Sequence, residues 1–146
     1  MGDDGERMVV FRLGSERFAL SLAAVDEVIE LPTVQRVPDS PPTVLGIATL
    51  RSELVSIYDP RGWLNAGTGT YGAVLLFSRD GRRVGIAVDD VYDPTTVLSQ
   101  ELRNAPGVDT SDGILSGVVR RGTDLIGVLD ADALVRTALA IEGETA

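Results

Sequence analysis

The sequence predicts an all-β fold with short helices, built as two small five-stranded β-barrels packed side by side. Three observations predict it. Short apolar runs rich in β-formers recur along the chain, each bounded by Gly, Pro, Asp or Ser. The order of these runs occurs twice. The 146 residues also suffice for a core without staples, since a chain of this length buries roughly 70% of the surface its unfolded form exposes.

The elements follow in order. Residues 1–7 are polar and acidic and read as a disordered lead. Met8-Val9-Val10-Phe11 and Phe18-Ala19-Leu20 flank a turn at Gly14-Ser15-Glu16, which makes a hairpin. Ser21 is placed to cap a short helix over Leu22 to Val28, with a return to strand at Ile29-Glu30-Leu31. Pro32, Pro38, Pro41 and Pro42 make 32–43 an irregular loop, because proline removes donors and restricts its neighbours. Val44 to Leu50 and Glu53 to Tyr58 are strands, and Asp59 starts a helical turn with Pro60 at its first position. Asn65 to Thr70 reads as a flexible link. Val74 to Ser78 and Arg83 to Val88 flank Asp80-Gly81, and an extended run from Val91 to Leu98 is broken by Pro94. Ser99 caps a short helix through Arg103. Ile114 to Arg120 and Leu125 to Leu129 are strands, and Asp130 caps a last helix over about 130–141.

The two halves can be laid on each other. Residues 46–64 align without gaps on 117–135: Gly46 meets Gly117, Glu53 meets Asp124, Leu54 meets Leu125 and Asp59 meets Asp130. Val25-Asp26-Glu27-Val28 likewise meets Val88-Asp89-Asp90-Val91. The expected subdomains are therefore residues 8–66 and 71–139, together one domain, with closure of each barrel removing exposed strand edges. Trp63 and Leu64 are expected to close the bottom of the first barrel.

Composition excludes much chemistry. The net charge is −9, with 13 basic residues, all Arg, against 22 acidic ones. Cys, His and Lys are absent, so no Ser-His-Asp triad, Cys nucleophile, Schiff-base lysine or His/Cys zinc site can be built from this chain. The acidic balance argues against nucleic acid and against an anionic membrane surface. No apolar run approaches the roughly 20 residues of a membrane span. The acidic start has the wrong sign for a secretory leader, and the cytoplasm is the expected compartment.

Several motifs have plain readings. Gly67-Thr-Gly69-Thr-Tyr-Gly72 spells G-x-G-x-x-G, but it follows a helical turn and precedes a strand, the reverse of the dinucleotide arrangement, and reads as a linker. The acidic pairs Asp26/Glu27 and Asp89/Asp90 are adjacent on extended chain and point to opposite faces, and Asp130 of the pair Asp130/Asp132 is a cap. Asp109, Ser111, Asp112 and Gly113 offer oxygen ligands for a cation and more simply form a polar loop. Arg51, at a hairpin tip, is either an exposed turn arginine or the partner of a carboxylate such as Glu27, within the chain or across an interface.

The series Phe11-x-Leu13-Gly14-x-Glu16-x-Phe18-Ala19-Leu20, Val25-x-Glu27-Val28-Ile29, Val37-Pro38, Gly46-Ile47-x-x-Leu50-Arg51 and Asp59 resembles the first half of CheW-type chemotaxis coupling proteins. Arg83-Val84-Gly85-Ile86-Ala87-Val88-Asp89-Asp90-Val91 resembles the second half, and the resemblance spans about residues 8–139. It implies two five-stranded barrels with a groove between them. It also implies a non-catalytic, cofactor-free cytoplasmic adaptor, associated with membrane-bound receptor arrays, between the cytoplasmic tip of chemoreceptors and the regulatory domain of a CheA-type histidine kinase. Carried over by position, Val25, Glu27, Arg51, Ala73, Gly85 and Pro94 fall where the family meets the receptor tip. The sequence departs from the family pattern at Ser52, where Gly is usual, at Ser56, where Pro is usual, and at Pro60 and Pro94. Those departures bear on the kinase interface, so a protein that binds receptor but not kinase, a spacer or decoy, is the alternative. A small β-barrel enzyme or ligand binder using carboxylates is the reading from a different class.

Overall fold

The structure, a computed structural model, describes residues 5–104 and 113–145. Strands β1 (Gly5–Leu13) and β2 (Glu16–Ser21) form a hairpin, followed by a 3-10 turn at Leu22–Ala24 and β3 (Glu27–Glu30). A second hairpin, β4 (Val44–Leu50) and β5 (Glu53–Tyr58), leads into α1 (Arg61–Leu64). The same succession then repeats: β6 (Ala73–Arg79), β7 (Arg82–Val88), β8 (Asp90–Leu98), a 3-10 turn at Ser99–Glu101, β9 (Leu115–Arg121), β10 (Asp124–Leu129) and α2 (Ala131–Thr145).

These strands form two five-stranded sheets, in the orders β8-β1-β2-β10-β9 and β3-β6-β7-β5-β4. We call the first the terminal sheet and the second the middle sheet. The duplication is real, but the sheets do not divide at 66/71. Each sheet takes its central hairpin from one repeat and its other three strands from the other. Four pairings make the exchange: β1 with β8 and β3 with β6, both antiparallel, and two parallel ones, β2 with β10 through Phe18 and Gly127 and β7 with β5 through Gly85 and Ile57. The reason lies in the core. Central strands are buried on both faces, and a hairpin such as Val74-Leu75-Leu76-Phe77 must sit between two apolar layers wherever they are supplied.

Three clusters fill the interior. Val9, Phe11, Leu13, Phe18 and Leu20 meet Tyr58, Leu75, Phe77, Val84 and Ile86 between the sheets, with Leu134 and Ala138 of α2. Met8, Val10, Val119, Ile126 and Val128 pack on the far face of the terminal sheet. Ala48, Val55, Ile57, Val74, Leu76 and Ala87 do so in the middle sheet. Trp63 and Leu64 pack on the cluster between the sheets, with the Trp63 ring 6.2 Å from that of Tyr58, so they do not plug one barrel.

The sheets curl without closing into barrels. The middle sheet keeps β3 and β4 as edges, and the terminal sheet keeps β8 and β9. One irregular segment covers an edge in each. Gln35 exchanges two 2.8 Å backbone hydrogen bonds with Ile47 of β4, and Arg103 does the same with Val118 of β9. The aligned glycines permit these approaches. A Cβ at Gly117 would stand 2.6 Å from the Arg103 carbonyl oxygen, and one at Gly46 still closer to that of Gln35. Backbone covers backbone there, which leaves fewer unpaired edge groups.

Other local expectations changed. Residues 5–7 belong to β1 and are not a lead. The helix over 22–28 is only the 3-10 turn, because Asp26 donates its N–H to Leu76 and β3 joins β6. Pro94 does not break β8: it lies at a bulge in an edge strand, where its missing N–H is tolerated. The helix through Arg103 is the 3-10 turn Ser99–Glu101. Pro60 immediately precedes α1. Asp130 does cap α2, its Oδ1 accepting the Ala133 N–H at 3.0 Å. Asp109, Ser111 and Asp112 lie outside the described residues.

Candidate functional site

Arg51 and Glu27 meet. The Arg51 Nη2 lies 2.5 Å from each Glu27 carboxylate oxygen, so the tip of the β4–β5 hairpin is tied to β3. Since β3 and β4 are the two edges of the middle sheet, this pair clasps the open edge. Arg83 of β7 stands 3.6 Å from Glu27 and 3.8 Å from Glu53, which extends the pair into a four-charge cluster. The hydrogen bond from Arg51 is the main reason that the Glu27 carboxyl titrates below its ordinary 4.5, with Arg83 adding to the effect. The Arg51 side chain is 69% exposed. Its backbone is unusual: Arg51 and Ser52 take φ of 49° and 69°, a left-handed conformation that glycine adopts without a Cβ penalty.

The other expected residues are placed differently. Val25 ends the first 3-10 turn, half-buried against the core. Ala73 opens β6, pairs with Glu30 of β3 and packs on the same core. Val25 lies two residues before Glu27, whereas Ala73 is at the other end of the β3–β6 ladder and packs on the opposite face of the sheet from Leu76, the partner of Glu27. Gly85 is buried, and a Cβ there would lie 2.5 Å from the Ile57 side chain. Its role is to let β7 pack onto β5, not to offer a surface. Pro94 is exposed, but on the edge of the terminal sheet. Structure therefore brings Glu27 and Arg51 into contact, leaves Val25 near Glu27 in sequence, and separates Ala73 by the length of β3, Gly85 by burial and Pro94 by sheet.

A shallow cleft of about 330 Å³ opens between the first 3-10 turn, β6 and the start of α2. Phe77 and Val135 floor it, and Ala23, Ala24 and Ala131 line it. Its polar rim is committed: Ser78 donates to Asp26, and Arg79 pairs with Asp132.

Sequence reasoning missed one group of residues entirely. Arg61 and Asp89, both buried, form an ion pair between the two repeats. Arg61 also donates its Nε–H to the Gly67 carbonyl at 3.1 Å and contacts Asp59 at 3.3 Å. Asp89 accepts the Thr70 N–H at 3.1 Å and faces Arg12 at 3.5 Å. Tyr71 lies under the Arg61 guanidinium, 4.5 Å from ring centre to Cζ, and donates to Asp59. Burial and the Asp59 charge push its phenol up to about 12. The link at 65–72 is thus fastened and not free. The spelling G-x-G-x-x-G has a local cause, since a side chain at Gly69 would collide with the Asp89 carboxylate.

The carboxylates do not converge on a common point. Asp89 is buried by Arg61, whereas its neighbour Asp90 faces solvent. Among the described residues no group of three or more acidic side chains is placed to hold a metal ion. Among them, too, no helix is long and apolar enough to cross a membrane.

The family model of the CheW-like domain matches residues 7–139. The chemotaxis protein CheW of Treponema pallidum (strain Nichols) is 28% identical over 143 residues, covering 92% of this chain and 84% of that protein. The chemotaxis protein CheW of Bacillus subtilis (strain 168) is 29% identical over 137 residues, covering 90% and 87%. Among solved structures, the scaffolding protein TtCheW from Thermoanaerobacter tengcongensis matches with a TM-score of 0.73 over 86% of this chain and 88% of that one. At 21% identity that likeness is one of fold.

Proposed function

The chain belongs to the CheW-like domain family, and from that premise we propose that it is a non-catalytic adaptor of chemosensory signalling. In this reading it works in the cytoplasm, at receptor arrays, and couples the cytoplasmic tip of chemoreceptors to the regulatory domain of a CheA-type histidine kinase. The relatives named chemotaxis protein CheW support the pathway. The observation that carries the reading within this chain is the exposed Glu27–Arg51 clasp. A charged pair half in solvent adds little to stability. It does present a fixed acid and a fixed guanidinium to a partner, and such groups set register and association rate. In this reading Val25, two residues before Glu27, and Ala73, which pairs with Glu30 at the other end of β3, belong to the same receptor-facing surface.

The test is calorimetric titration of the intact chain with the kinase regulatory domain and with the receptor tip, each from its own organism. One-to-one saturation with both is expected. Arg51→Glu, which sets two acids face to face, should weaken receptor-tip binding by about tenfold or more, the equivalent of roughly 1.4 kcal/mol, with the circular dichroism unchanged. A folded Arg51→Glu chain that binds normally removes the clasp from the interface. A folded native chain that binds neither partner overturns the adaptor reading.

A further inference from the structure

The way the repeats are interleaved has a consequence for self-association. Repeat 1 holds β1–β5 and α1, and repeat 2 holds β6–β10 and α2. Neither repeat owns a complete sheet: the terminal sheet joins β1 and β2 to β8, β9 and β10, and the middle sheet joins β6 and β7 to β3, β4 and β5. The core between the sheets is likewise shared, with Phe11, Leu13 and Leu20 from repeat 1 against Leu75, Phe77 and Ile86 from repeat 2. Each repeat is therefore the complementary surface of the other, over two antiparallel and two parallel strand pairings and a common core.

Only one connection makes a repeat prefer the partner on its own chain. It is the eight-residue link at 65–72, which carries Gly67, Gly69 and Gly72 and joins α1 to β6. Every other contact between repeats is indifferent to which copy supplies it. We propose that two copies of this chain exchange repeats across the 65–72 hinge, giving a dimer of two complete folds, each built from repeat 1 of one copy and repeat 2 of the other. In that dimer Arg61 of one copy meets Asp89 of the other, so the buried ion pair forms between chains. Glu27 and Arg51 both belong to repeat 1 and stay together, so the dimer presents two clasps. Within one chain the link is fastened by the Arg61–Gly67 and Thr70–Asp89 hydrogen bonds, and its shortness gives the repeat on the same chain an effective concentration of about millimolar, so exchange must release those contacts and needs concentrated protein or refolding from a mixture of unfolded chains. The inference rests on topology and stands apart from the adaptor reading.

The test uses full-length chains disabled in opposite repeats. Leu20→Asp places a carboxylate in the shared core from repeat 1, and Leu75→Asp does so from repeat 2; both leucines are fully buried. Each variant alone should be unfolded. Refolded together, they should regain β-sheet circular dichroism in a species of twice the chain mass, since the two intact repeats meet in trans. If a single change leaves a chain folded, adding Phe11→Asp to the first and Ile86→Asp to the second removes the residual fold, as both sites are also fully buried. An independent measurement exploits the absence of cysteine. Ser56 of β5 and Val84 of β7 are direct partners across the repeat boundary. Chains carrying Ser56→Cys and Val84→Cys, unfolded together, refolded and oxidised, should yield a disulfide-linked heterodimer. A mixture that stays as unfolded as its components, with no crosslinked heterodimer, overturns the proposal.

Discussion

Replacing Asp89 by alanine tests whether the buried pair holds the two repeats together. The Asp89 side chain is 1% exposed and that of Arg61 9%, so solvent cannot take over the charge that is left. Removing one partner of a buried pair costs about 3–5 kcal/mol, most of it from the stranded charge. Here Arg61 retains Asp59 at 3.3 Å and the Gly67 carbonyl at 3.1 Å, which places the loss near the lower end, about 3 kcal/mol. For a chain of this size each kcal/mol moves the melting temperature by about 2–4 °C, so a fall of about 6–12 °C is expected. Guanidinium denaturation followed by the fluorescence of Trp63 suits the measurement, because Trp63 lies two residues from Arg61 and packs on the core between the sheets. The double variant Arg61→Met with Asp89→Leu should recover part of the loss, since neither charge of the pair then remains. A loss below about 1 kcal/mol for Asp89→Ala would refute the claim that this pair is a principal fastening.

Three further outcomes follow from the same geometry. Ser52→Gly relieves the left-handed strain at the second turn residue but adds freedom to the unfolded chain, for a net gain of about 0.5 kcal/mol and about 1–2 °C in melting temperature; a lower melting temperature would contradict the strain. Arg51→Ala should raise the Glu27 titration point toward its ordinary 4.5; carbon NMR of the carboxyl reads this directly, and an unmoved value would mean the pair does not form in solution. In the native chain the Glu27 contribution is present above 4.5 and is lost as pH falls through its lower folded value. For Tyr71 the sign is opposite: its phenol is raised from 10.0 to about 12, so the folded state holds the proton longer and stability falls as pH rises through that window. Tyr71→Phe should flatten that fall in alkaline denaturation, and an unchanged slope would show that Tyr71 is not its source.

The fold class was legible because strand runs and turn residues are local signals. The duplication was legible because Gly46 and Gly117 each admit a crossing backbone and so keep their place in both halves. Which strands share a sheet was not legible. The runs at Val9 to Phe11 and Val74 to Phe77 are buried on both faces, so their pattern names no preferred neighbour. A contiguous division at 66/71 was then the simplest expectation, and the long-range parallel pairings overruled it. The Arg61–Asp89 pair escaped for a related reason: the residues are 28 apart, and the glycines beside them look like flexibility until the carboxylate they accommodate is seen. The pairing of Glu27 with Arg51 was legible from charge at a hairpin tip, and the family resemblance added both to the receptor-facing residues, with Gly85 among them although its size serves packing.

The two repeats also allow a functional argument from asymmetry. Each sheet leaves an edge open, and in each an arginine from the last hairpin reaches across to the opposite edge. In the terminal sheet Arg121 gives the Thr96 carbonyl a 2.8 Å hydrogen bond and the Thr95 hydroxyl and Glu101 carboxylate 3.2 Å ones. That arginine is 35% exposed and binds three acceptors, one of them backbone, as a group serving the fold would. Arg51 does the corresponding work with one carboxylate, at 69% exposure, from a turn in left-handed conformation. If closing the sheet were its only task, the arrangement already built in the terminal sheet would serve better. The more open clasp is the one whose charges remain available to solvent, and that difference within a single duplicated chain supports the proposal that Glu27 and Arg51 serve an interface.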